Sequence, residues 1–203
     1  MMFNSKKYLI SGTARSGKDT LTQSFIKILS SKGILAKRYA FADELKKQLD
    51  PFLRMHLGIS AFTEDAEEKS LIRPMLLAWG KICRDTDENY WAKIVAEKIK
   101  NEPYPHVAFI SDYRYPNEHK FLDGETIHIT RVKENGESFP PIGEDEEKYN
   151  PVLLESSSYK FSWKNYSDNL DSCYYKAQEF FDQVFSPEQI LQWQNDFPIP
   201  TQN

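Results

Sequence analysis

The sequence predicts an α/β protein, a three-layer sandwich around a mostly parallel sheet. Three observations carry that expectation. Short apolar runs bounded by turn residues occur at Lys7–Ser11, Leu35–Phe41, Val107–Ile110 and Thr126–Val132, and runs of this kind read as strands buried on both faces. Between them lie segments whose apolar residues repeat at helical spacing. The first run ends in Gly12-Thr13-Ala14-Arg15-Ser16-Gly17-Lys18-Asp19-Thr20, a glycine-containing turn leading into a helix. Strands alternating with helices imply a sheet covered on both sides.

Taken in order, Leu21, Phe25, Ile28 and Leu29 share one face of the first helix, which Gly33 stops. The spacing of Leu45, Leu49, Phe52 and Leu53 predicts a helix from Asp43 to about His56, broken or kinked at Pro51. Residues 60–66 read as a connection. Glu67–Arg84 is amphipathic through Leu71, Ile72, Met75, Leu76 and Trp79 despite Pro74, and Asp87–Lys100 gathers Trp91, Ile94, Val95 and Ile99 on one side. Pro116–Leu122 predicts a short helix. Residues 133–149 hold six acids, two glycines and Pro140-Pro141, the composition of a mobile surface excursion. Phe161-Ser162-Trp163 reads as a last strand, followed by a helix from about Leu170 to Phe185. Beyond Ser186 the chain has three prolines, with Ile190, Leu191 and Trp193 as apolar anchors. The expected organisation is one domain over 1–185, with a lid-like excursion at about 133–160 and a tail at 186–203.

The composition fits this plan. A chain of 203 residues suits one domain, and 40% hydrophobic residues supply a full core, which excludes a disordered chain. Thirty acids against 26 bases give a net charge of −4, which argues against nucleic acid as a general partner. Cys83 and Cys173 are too few for a disulfide framework and form no CxxC, as expected in a reducing compartment. No apolar run approaches the roughly 20 residues of a membrane span, and no signal-peptide core follows Lys6-Lys7. A cytoplasmic protein without a membrane partner is expected. The four histidines have no metal-binding spacing.

The sharpest motif is Gly12–Thr20, which matches G-x-x-x-x-G-K between a strand and a helix. Gly12 and Gly17 permit the tight wrap, and backbone N–H groups with the helix N-terminus attract phosphate. Lys18 reaches the terminal phosphates as a point charge. Ser or Thr usually follows the lysine to bind Mg²⁺. Here Asp19 stands in that place with Thr20 after it, and a carboxylate can ligate Mg²⁺ or orient an acceptor; a helix-dipole role is the plain alternative. Arg15 either lies over transferring phosphates or is a solvated loop residue. A second group, Ser111-Asp112-Tyr113-Arg114, ends the strand 107–110, where parallel sheets bind ligands. Asp112 could hold Mg²⁺ or cap a turn, and Arg114 offers a planar fork for phosphate.

These residues, with Arg73…Trp79-Gly80 on one helix, then Asn89-Tyr90-Trp91 and Glu118, occur in one order that resembles the phage deoxynucleoside monophosphate kinases. The set is also similar to the animal-type phosphomevalonate kinases, which share the S-G-K-D loop, the Arg…Trp-Gly helix and the Ser-Asp-x-Arg strand end. The resemblance covers roughly residues 8–132, with an echo at Trp163-Lys164-Asn165. It implies a P-loop fold of the nucleoside monophosphate kinase type, with ATP as donor and Mg²⁺ as cofactor. By resemblance Arg15, Gly17, Lys18, Asp19 and Thr20 hold the nucleotide and the metal; the loop's wrap adds Gly12 and Ser16 to the ATP site, Arg131 at the base of the lid is a further candidate there, and Asp112 at the strand end a further metal ligand. Arg73, Gly80, Lys81, Trp91, Asp112, Arg114 and Glu118 surround the acceptor, and Lys18, Asp19, Asp112 and Arg114 carry the chemistry. The chain departs at Lys81, where the phage pattern has Thr, and lacks a large phage insertion before this helix.

The expected reaction moves the γ-phosphate of ATP to a deoxynucleoside monophosphate, in an enzyme whose partners are small nucleotides and that leaves room for a homodimer. Aromatics near the site suit a base, whereas Lys81 would suit the extra anion of phosphomevalonate. A hydroxymethylated base in DNA and a non-catalytic nucleotide-binding adaptor are the other readings.

Overall fold

The computed structural model describes residues 5–133, 135–164 and 170–200. Asn165 of the motif echo lies outside them. Strands β1 (Lys6–Ser11), β2 (Ala36–Tyr39), β3 (Val107–Ile110), β4 (Glu125–Val132) and β5 (Tyr159–Lys164) form one sheet of order β2-β3-β1-β4-β5. Every pairing in it is parallel.

Side-chain alternation along the strands splits the core in two. Tyr8, Ile10, Phe109, Ile127 and Ile129 face a cluster with Leu21, Phe25, Phe180, Phe181 and Trp193. Those partners come from α1 (Lys18–Ser31), α7 (Leu170–Val184) and α8 (Pro187–Asp196). Leu9, Ala108 and Ile110 face the opposite way, toward Phe41, Cys83, Trp91, Val95, Leu122 and Leu153. These belong to α2 (Phe41–Leu57), α3 (Ala66–Thr86), α4 (Tyr90–Lys100), α5 (Pro116–Leu122) and α6 (Glu144–Ser156). A third cluster, Leu49, Leu53, Ala61 and Ile72, packs α2 against α3. The three-layer sandwich is therefore as expected, with a sheet that is wholly parallel among the described residues.

Several boundaries differ from the sequence expectation for identifiable reasons. Helix α2 starts at Phe41 because a remote carboxylate caps it: Asp112 accepts the N–H groups of Phe41 and Ala42, both at 2.8 Å. It continues through Pro51 to Leu57, where Leu49 and Leu53, buried on either side of the proline, hold a helix that forgoes one backbone bond. Asp87 does not begin a helix; it ends α3, its N–H donating to Cys83 O at 3.0 Å.

The acid-rich stretch is not a surface excursion throughout. Its second half is α6, whose first turn carries Glu144, Asp145, Glu146 and Glu147, the charges that a helix N-terminus favours. Leu153 on α6 is buried in the second cluster. Nor is the segment after Ser186 an appendage as far as it is described. Ser186 Oγ accepts the Gln189 N–H at 3.2 Å, Pro187 occupies the first helical position, and Trp193 and Phe197 close the first cluster. No helix among the described residues is long and apolar enough to cross a membrane.

Candidate active site

The site lies beyond the carboxyl ends of β1 and β3, adjacent strands whose onward connections, to β2 and to β4, run in opposite directions across the sheet. The turn after β1 is built around positions that admit no side chain. A Cβ on Gly12 would stand 2.3 Å from Ile129 O, and one on Gly17, at φ +91°, would stand 2.1 Å from Trp163 Cζ2. The indole that fills the space beside Gly17 also donates its Nε1–H to Ser16 O at 2.7 Å, so β5 braces the loop from behind.

Lys18 folds over this turn, donating to Gly12 O at 2.9 Å and Thr13 O at 2.7 Å. Burial, then the nearby Arg114 guanidinium, pushes its ammonium down to about 8, against the pull of Glu146, Asp112 and Asp19. The Ala14 N–H, one of the loop's inward donors, binds Glu146 Oε1 at 3.0 Å. The other oxygen of that carboxylate accepts the Ile142 N–H at 2.9 Å. A cavity beside the loop is lined by Arg15, Ser16, Gly17, Lys18, Asp19, Thr20, Arg131, Trp163 and Lys164. Arg131 donates to Arg15 O at 3.0 Å and lies over the Phe139 ring.

Asp19 is tied on one side only. Its Oδ1 accepts from Arg38 Nε at 2.9 Å and from Ser111 Oγ at 3.0 Å. Its Oδ2 has no hydrogen-bond partner among the described residues. With Thr20 on the same cavity, the donor set is oxygen only, the chemistry that a hard cation shared with phosphates accepts. The residues therefore fit Mg²⁺. Asp112 is differently employed, since both its oxygens accept from the N-terminus of α2.

A second cavity opens between α2, α3 and the turn after β3. Phe41, Leu45, Leu76, Leu77, Gly80 and Trp91 make its apolar wall, and Lys46, Arg73, Arg84 and Arg114 supply cations. Gly80 packs close to α2: a Cβ there would meet the tip of the Leu45 side chain, Cδ1, at 2.8 Å. Trp91 is fixed by its Nε1–H on Gly80 O at 3.3 Å. Glu118 Oε2 accepts the N–H groups of Arg114 and Tyr115 at 2.9 and 3.0 Å, which locks the turn carrying Arg114. Burial pushes the Glu118 carboxyl up to about 8 and also raises that of Asp112. Tyr115 donates to Asp145 Oδ2 at 2.6 Å, and Arg84 lies over its ring.

The fold thus brings Arg73, Gly80, Trp91, Asp112, Arg114 and Glu118 to one cavity. Lys81 is not among them: it points away, to Asp85 at 2.6 Å. Trp79 is also outside, donating to Gln48 Oε1. Sequence reasoning missed Arg38, Lys46, Arg84, Asp145 and Glu146. Arg84 had a signal, standing eleven residues after Arg73 and four after Gly80 on one helix face. Glu146 had none, being one acid in a run of four.

A family model described as phosphomevalonate kinase matches residues 10–128, from β1 into β4. No curated protein matches the chain. Among solved structures, the chain is similar to shikimate kinase from Acinetobacter baumannii in complex with shikimate, at 11% identity and TM-score 0.45, over 90% of this chain and 94% of that one. Shikimate kinase from Bacteroides thetaiotaomicron is similar at 14% identity and TM-score 0.44, over 88% and 98%. An APS kinase from Mycobacterium tuberculosis is similar at 12% identity and TM-score 0.42, over 89% and 96%.

Proposed function

Because the chain belongs to the phosphomevalonate kinase family, and so to the phosphotransferases, we propose that it moves the γ-phosphate of ATP onto the phosphate of a small acceptor, in first place a deoxynucleoside monophosphate. One observation supports this reading above others: Arg114 and Asp145, on the cavity with an apolar wall and a cluster of arginines, also line a small space that reaches Gly12 of the turn after β1. Such a cavity suits a flat base at one end and an anion at the other.

Phosphoryl transfer asks mainly for positioning and charge neutralisation. The loop N–H groups and Lys18 grip the β- and γ-phosphates of ATP. Arg73 and Arg114 hold the acceptor phosphate, and Arg114, also close enough to Lys18 to depress its pKa, offsets the charge of two anions brought together. The attacking oxygen belongs to a phosphate and is already anionic, so no strong general base is needed. Asp112 and Glu118 act by shaping the cavity. Mg²⁺, held through Asp19 with Thr20 nearby, would neutralise charge on the phosphates of ATP. Helix α6 closes the space between the two cavities and keeps water from the transferring group.

Phosphomevalonate is the second reading. The family match favours it, and so do Arg84 and Lys46, cations beyond those that one phosphate needs. A coupled assay for ADP release, with ATP, Mg²⁺ and each of four dNMPs or phosphomevalonate, separates the two. Turnover with at least one dNMP and little with phosphomevalonate is expected; the reverse pattern would replace the first reading by the second. Turnover with none would leave a nucleotide-binding adaptor.

A further inference from the structure

Arg38 lies outside every motif that led to the site, on β2, yet its guanidinium reaches into it. Its Nε–H donates to Asp19 Oδ1 at 2.9 Å, while Nη1 donates to Asp43 Oδ2 at 2.7 Å in the first turn of α2. Ser111 Oγ, at the end of β3, donates to the same Asp19 oxygen at 3.0 Å. The Asp19 side chain is 70% exposed and Arg38 only 26%. A well-solvated carboxylate on its own would sample several rotamers. Here one oxygen is held by donors from β2 and from the end of β3, the other accepts no hydrogen bond among the described residues, and Asp19 lines the loop's cavity.

We propose that Arg38 is a positioning residue, which with Ser111 holds Asp19 Oδ1 so that Oδ2 is presented to the divalent cation carried by the nucleotide. The proposal rests on the nucleotide-site reading above. A planar fork suits this task where an ammonium does not. It binds two carboxylates in fixed directions, and its second bond, to Asp43, stops the guanidinium from following Asp19 as it moves. Its charge also offsets the two carboxylates, so that Asp19 and Asp43 do not repel each other across the end of β2.

The test compares ADP binding by the full chain with EDTA and with excess Mg²⁺, using calorimetry, for wild type, Arg38→Met and Arg38→Lys. In wild type, Mg²⁺ is expected to strengthen ADP binding. In Arg38→Met most of that increment is expected to disappear, a loss of about tenfold in the affinity for Mg²⁺ADP, of the size expected for a charge-assisted hydrogen bond. Metal-free ADP affinity should stay within about twofold, because the loop N–H groups are untouched. Arg38→Lys keeps the charge without the fork and is expected to recover only part of the increment. Equal weakening with and without metal would show a merely structural role and overturn the proposal. So would an unchanged Mg²⁺ increment in both variants. Failure of the wild type to bind ADP under either condition would overturn the nucleotide-site reading itself, and the proposal with it.

Discussion

The carboxylate of Glu146 lies on the phosphate loop, where Oε1 accepts the Ala14 N–H at 3.0 Å. An anion held by a loop N–H close to the loop lysine is placed as a phosphate oxygen would be. Glu146 is also among the acids that hold up the Lys18 charge. On the proposed nucleotide site, helix α6 supplies a tethered anion that ATP would displace. Glu146→Gln keeps the shape and removes the charge, so ATP should bind roughly tenfold more tightly, the ~1.5 kcal/mol of one charge-assisted hydrogen bond. Calorimetric titration of both proteins with ATP checks this. Weaker binding by the variant would mean that Glu146 supports the nucleotide instead.

Lys18 gives the pH dependence. Its folded value, pushed down to about 8 by burial and by Arg114, lies below that of an ordinary lysine. The charged form that grips phosphate is present below pH 8 and is lost as pH rises through it, so ATP affinity should fall across pH 7–9. The sign for stability is opposite. Between about 8 and the ordinary lysine value the unfolded chain binds a proton that the folded chain lacks, so this group adds stability to the nucleotide-free protein as pH rises there. ATP phosphates pull the folded value back up, and binding near pH 8 should take up a proton, seen as a buffer-dependent heat. Lys18→Ala should abolish that heat and lower kcat by at least about 100-fold, the scale of one lost electrostatic stabiliser. Near-normal turnover in a folded Lys18→Ala protein would be incompatible with the assigned site.

Arg73 and Arg114 line the second cavity, and Arg114 stands nearer the loop. Each change to Ala should raise the acceptor KM by about tenfold or more, with ATP affinity little altered for Arg73→Ala. A fall in ATP affinity with acceptor affinity preserved would mean that donor and acceptor sides are assigned backwards. Lys81→Ala is the internal control, since its partner is Asp85 at 2.6 Å, outside the cavity. It should leave both constants within about twofold, as surface ion pairs contribute little.

The fold was largely legible because apolar runs and helical spacing report burial directly, as at Val107–Ile110 and at Leu21 to Leu29. The turn after β1 was legible because Gly17 takes a left-handed φ of +91°, a local demand that glycine meets without strain. What escaped was set by distant partners. The start of α2 depends on Asp112, about seventy residues away, and no window around Phe41 contains that cap. α8 depends on a cavity in the core that Trp193 and Phe197 fill. Lys81 reads as an acceptor residue because it stands where the phage pattern has Thr, yet its side chain turns to Asp85 instead. Arg38 and Glu146 act across the site from separate elements, and nothing near either one in sequence marks it.

The most direct measurement is ³¹P NMR of the protein with ATP, Mg²⁺ and the acceptor panel, because the central claim is transfer onto an existing phosphate. The expected result is loss of the ATP γ resonance matched by a new pair of coupled diphosphate resonances on the acceptor, with the acceptor monophosphate signal falling in step. Loss of the γ resonance to inorganic phosphate alone, or a product carrying two uncoupled phosphates, would contradict it.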